Sequence, residues 1–89
     1  MGHYDRYMPI EVHTKKATAG EATANKVIFT LPYKPNGVVA QIVKEADNTL
    51  YATGQTIEVK EDETTKVVTV EVAATAILAN DVVTIIATK

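Results

Sequence analysis

The stretch Thr56-Ile57-Glu58-Val59-Lys60-Glu61-Asp62-Glu63-Thr64-Thr65-Lys66-Val67-Val68-Thr69-Val70-Glu71-Val72 alternates apolar and polar residues on both sides of an acidic centre. Side chains of a strand point to opposite faces in turn, so Ile57 and Val59 share one face, and Val68, Val70 and Val72 share another. Apolar residues at a spacing of two, with no three-to-four spacing, predict two half-buried strands and no helix. Glu61-Asp62-Glu63-Thr64-Thr65 reads as the solvated tip of the hairpin between them, and Glu58 and Glu71 can face each other on its wet side.

The neighbouring segments carry the same signature. Lys26 to Leu31 puts Val27, Phe29 and Leu31 on one face, and Pro32-Tyr33-Lys34-Pro35-Asn36-Gly37 supplies turn residues. Val38 to Lys44 is largely apolar on both faces, which predicts a central strand or one covered on two sides. Glu45-Ala46-Asp47-Asn48 reads as a hairpin loop and Thr49 to Ala52 as a short return strand. Ala73 to Ala79 reads as a loop with Ile77 and Leu78 tucked under the sheets, and Asn80-Asp81 as a turn. Val82 to Ala87 is again apolar on both faces, the mark of a central or interfacial strand. Six to seven short strands at a spacing of about 8 to 12 residues predict an all-β fold, a small antiparallel β-sandwich that is Ig-like or barrel-like. No connection is long enough for the crossover helix of a parallel sheet. The expected core is Val27, Phe29, Leu31, Ile42, Ile57, Val59, Val68, Val70, Val72 and Ile85.

Composition agrees. Thirteen Thr, twelve Val and seven Ile make 32 of the 89 residues β-branched, against three Leu. Residues 1–25 differ from the rest: they hold both His, both Met, the only Arg and two of the four Tyr, and end in the small-residue run Ala17 to Ala24. They read as an extended N-terminal arm, with 26–89 as the sandwich domain, although Ile10 to Thr14 alternates and Pro9 favours an edge position for it. Tyr4, Arg6, Tyr7, Met8 and Ile10 are residue types that give area and adaptable contacts at interfaces, so residues 1 to about 18 are expected to bind a partner and to add little to the fold. The remaining 64 residues form a domain that buries only about 60% of the surface its unfolded chain exposes, which favours association into a homo-oligomer.

Several chemistries are excluded. The chain has no Cys, Ser or Trp, so disulfides, thiolate and Ser nucleophiles and Cys-containing zinc sites fall away. His3 and His13 lie ten apart in the arm without a third convergent ligand, and Glu61-Asp62-Glu63 lacks the glycine-bearing loop of a calcium site. No metal or other cofactor is expected. Nine basic against eleven acidic residues give a net charge of −2, which offers no footprint for nucleic acid and no basic anchor for a membrane. The start of the chain lacks the pattern of a secretion signal.

Phe29-Thr30-Leu31-Pro32-Tyr33-Lys34-Pro35-Asn36-Gly37-Val38-Val39-Ala40 and the ending Ala76-Ile77-Leu78-Ala79-Asn80-Asp81-Val82-Val83-Thr84-Ile85-Ile86-Ala87 resemble small virion structural proteins of tailed bacteriophages. There a "tLP-x-x-P-x-G-v" turn opens the sandwich and an "l-a-x-D-v-v-t-i-i-a" strand closes it. The likeness covers about half of the chain. Asn80 stands where that family has Gly, and Asn tolerates the same left-handed turn. The resemblance implies a capsid decoration or head-fibre subunit, not an enzyme, located in a virion assembled in the host cytoplasm. It also implies the major capsid protein or other virion proteins as partners, and a trimer as the oligomer. The competing reading is a small adhesion or carbohydrate-binding module, with Tyr33 and Tyr51 as its exposed aromatics.

Overall fold

A computed structural model describes residues 10–50 and 55–89. Among them are strands β1 (Ile10–Lys16), β2 (Lys26–Leu31), β3 (Gly37–Val43), β4 (Gln55–Glu61), β5 (Val68–Ala74) and β6 (Val82–Thr88), with one short helix, α1 (Ala19–Ala24), between β1 and β2. The strands form two antiparallel three-stranded sheets, ordered β1-β6-β3 (sheet A) and β2-β5-β4 (sheet B), packed face to face. The hairpin read from the sequence is β4–β5. It pairs Ile57 with Val72, Val59 with Val70, and Glu58 with Glu71.

The loop closing that hairpin is held by its own chemistry. The Asp62 N–H donates to Val67 O at 2.9 Å, and Asp62 Oδ1 accepts the N–H groups of Thr64 and Thr65 at 2.8 Å each. Lys66, at φ 62°, belongs to this turn, so β5 begins at Val68, two residues later than the alternation predicts.

Sequence and structure agree on most of the core. Val27, Phe29, Leu31, Ile42, Val68, Val70, Val72 and Ile85 are buried, while Ile57 and Val59 are half-buried against them because β4 lies at a sheet edge. Ala17, Ala74, Ile77, Val83 and Ala87 complete the core. Leu78, expected under the sheets beside Ile77, is exposed, since only one of two successive residues of that loop can turn inward.

Of two expectations about position, that for β3 is corrected and that for β6 holds. β3 is an edge strand although both its faces are apolar; its inward Ile42 is fully buried, while its outward Val39 is 60% exposed. β6, with the same signature, is the centre of sheet A.

The expected boundary between arm and domain after residue 25 does not coincide with a break in the fold. Residues 10–16 pair along their whole length with β6, from Ile10↔Thr88 to Lys16↔Val82, and Ala17 is buried. The following run is α1, opened by a capping box. The Glu21 N–H donates to Thr18 Oγ1 at 3.2 Å, and the Thr18 N–H donates to Glu21 Oε1 at 3.0 Å. Asn25 ends the helix in the left-handed conformation at φ 56°, and its Oδ1 accepts the Ile77 N–H at 3.1 Å.

Candidate functional site

Register and burial pattern fix what each sheet presents to its outside. In sheet A, Val12 pairs with Ile86, which pairs with Val39, so these three outward side chains form a straight row across the sheet. Ile10 extends it along β1. Their exposures are 62%, 37%, 60% and 63% for Val12, Ile86, Val39 and Ile10. A second row, Thr14, Thr84 and Gln41, lies beside the first. The Thr14 and Thr84 hydroxyls share one hydrogen bond at 3.1 Å, and Thr88 Oγ1 donates to Gly37 O at 3.3 Å. Of the twelve outward positions of sheet A only Lys16, at a corner, is charged. Exposed apolar residues are ordinary when scattered singly, and they point to a contact surface when contiguous.

β1 is reversed relative to a usual edge strand, with charged residues on its core-facing side and apolar ones toward solvent. It is an edge strand of sheet A, so Glu11, His13 and Lys15 are half-buried and find polar partners there. Glu11 Oε1 accepts the Tyr33 hydroxyl at 2.9 Å and lies 3.1 Å from His13 Nε2, and Glu11 Oε2 pairs with Lys89 at 2.9 Å. The bond from Lys89, followed by that from Tyr33, holds the Glu11 carboxyl below its ordinary value. Lys89 also stands 5.1 Å from the centre of the Tyr33 ring. Lys15 donates to Glu21 Oε2 at 3.0 Å and to Ile28 O at 3.1 Å, spanning the two sheets. Inward-pointing charge is a known guard of a sheet edge against further strand pairing.

Asp81 is the only polar residue among the buried ones described, at 1% exposure. Its Oδ1 accepts the Glu45 N–H and its Oδ2 the Leu78 N–H, both at 3.0 Å, while its main-chain oxygen accepts from Ala17 at 2.9 Å. The carboxylate thus ties the end of β3 and the loop before β6 together, and every contact it makes is structural. Asn80, next to it, stands at φ 74°, the left-handed turn expected of it.

Of the residues expected to bind a partner, Ile10 lies at the end of the apolar row of sheet A; Tyr4, Arg6, Tyr7 and Met8 lie outside the described residues, as do His3 and Tyr51. Val12, Val39 and Ile86 join the candidate surface, although the sequence reading did not single them out for contact. For Val39 and Ile86 the signal was there, in strands apolar on both faces, and for Val12 in the alternation of Ile10 to Thr14. Tyr33 has its hydroxyl committed to Glu11. Among the described residues no three Asp, Glu or His side chains gather to hold a metal ion, and no helix is long and apolar enough to cross a membrane. Compared with known proteins, the chain matches no family model, no curated protein and no solved structure.

Proposed function

We propose that this chain is a non-enzymatic structural protein of a phage virion, a capsid decoration or head-fibre subunit. It assembles with the major capsid protein or other virion proteins and with copies of itself, in a particle put together in the host cytoplasm. The observation that carries this reading is the outer face of sheet A, an apolar and nearly charge-free surface on a small domain. Such a face has no use in water and a clear use in an assembly. The resemblance of 29–40 and 76–87 to small virion proteins supplies the kind of assembly. Tyr4, Arg6, Tyr7 and Met8, which precede Ile10 in the sequence, are the further residues proposed for this contact.

The test is abundance. Quantitative mass spectrometry of purified particles should find tens to hundreds of copies per virion. A protein made during infection but missing from particles is not a virion component, and the reading fails.

A further inference from the structure

We propose that the outer face of sheet A is a self-association surface, on which a second copy of this chain stacks face to face about a two-fold axis lying between the sheets. The inference deepens the proposed function, resting on the reading of this face as an assembly surface, and names its occupant.

Three observations single out a second copy. First, the row Val12–Ile86–Val39 is symmetric about the central strand, with valine on either side of isoleucine. A two-fold axis along β6 lays this row on its own reverse, so Val12 meets Val39 of the other copy and Ile86 meets Ile86. An isologous interface needs this self-complementarity. Second, the face is free of charge that would meet itself. Lys16 sits at a corner of β1, and the same axis carries it opposite Val43, so the two Lys16 positions are offset by two strand spacings, about 10 Å, across the sheets. Third, stacking strands few hydroxyls, because Thr14, Thr84 and Thr88 already hydrogen-bond within the sheet.

The size of the face sets the strength. Three strands of seven residues cover about 14 by 23 Å, a footprint of roughly 330 Å², where a standard stable interface takes about 800 Å² from each partner. The pair is therefore reversible, closing at high concentration or where neighbouring contacts hold the copies together.

Sedimentation equilibrium of the full chain, from about 10 μM to about 1 mM, tests this, since weak interfaces of this size dissociate in that range. The mean mass should rise from the 9.6 kDa monomer toward twice that value. Ile86→Lys, at the centre of the row, should keep the chain monomeric throughout, with an unchanged circular dichroism spectrum. Val39→Lys, at a position already open to solvent, should do the same and decides the matter if Ile86→Lys does not fold. Glu58→Gln, on the outside of sheet B, should leave association unchanged. A parent chain monomeric at 1 mM, a trimer such as the resemblance implies, or a dimer indifferent to both lysine substitutions overturns the proposal. Particle abundance is read on the parent chain, so absence from virions sinks the virion role, and a monomeric parent sinks the face.

Discussion

The two sheets draw on the same β-branched residues and turn opposite surfaces outward. On sheet B, Glu71 pairs in register with Ile28 on one side and Glu58 on the other. The like charges of Glu58 and Glu71 are bridged by Lys60, 3.0 Å from the first and 2.9 Å from the second, with Lys26 3.5 Å from Glu71. On sheet A the equivalent row is Val12, Ile86 and Val39. Both sheets satisfy the inward half of the pattern equally well, since Val70 and Ile85 are both fully buried. The difference lies only in the outward half, which folding does not constrain. One outer face is charged, and the other is the apolar one proposed for assembly.

Both faces depend on one core, and the largest effect is expected there. Val70→Asp buries a charge between Phe29 and Val59 with no partner, costing several kcal/mol against a margin of order 5 kcal/mol for so small a domain. The variant should show no cooperative melt, and both surfaces should be lost together. Deleting residues 1–17 comes next, because it removes β1, half of the apolar row, and exposes the edge of β6. That chain should aggregate or lose its β-sheet spectrum. One that melts like the parent would show β1 to be dispensable and the apolar face to be smaller than described. Asp81→Ala should cost about 2 kcal/mol, since two partly buried N–H groups lose their acceptor, and lower the melting temperature by about 10 °C. Asp81→Asn, which keeps one acceptor oxygen, should fall between.

Legibility followed the same division. Inward residues were legible because burial enforces a period of two: the β4–β5 hairpin, the Glu58–Glu71 pair and most of the core follow from it. Position within a sheet was not, since β3 and β6 share an apolar-on-both-faces pattern and only pairing makes one an edge and the other a centre. β1 was legible as an alternating segment, but the pattern does not say which side turns inward. The charged side does so because Tyr33 and Lys89, distant in sequence, and Glu21, six residues beyond Lys15, stand there. The capping box Thr18-Ala19-Gly20-Glu21 was a readable signal for α1, hidden by the small residues around it. Asp81 gave no warning of burial, because the donors it serves come from the far end of β3 and from its own loop.

A smaller gain is expected at Ala76, which holds φ 62° without being glycine. Left-handed backbone costs an L-residue about 1 kcal/mol, so Ala76→Gly should raise the melting temperature by a few degrees. It should change neither outer face, and a loss of stability would mean that the methyl group contributes packing that outweighs the strain.

The smallest effect tests the contrast between the faces most directly, through pH. Lys60 chiefly holds the Glu71 carboxyl below its ordinary 4.5, and Glu71, then Glu58, hold the Lys60 ammonium above its ordinary 10.5. A carboxyl lowered in the folded state adds stability that is complete above its unfolded value and is lost as pH falls through the folded one. A raised lysine adds stability that is complete below its unfolded value and is lost as pH rises through the folded one. The melting temperature should therefore be level between roughly pH 5 and pH 10 and decline slightly on either side, with the changes damped by salt because these groups are in contact with water. Glu71→Gln should flatten the acid decline in part, leaving the share of Glu11, which Lys89 and Tyr33 lower in the same sense. Self-association, measured where the chain stays folded, should not follow the acid decline, because no outward residue of sheet A carries a carboxyl group. An association constant that tracks the charge of Glu71 would move the contact to sheet B and reverse the assignment of the two faces.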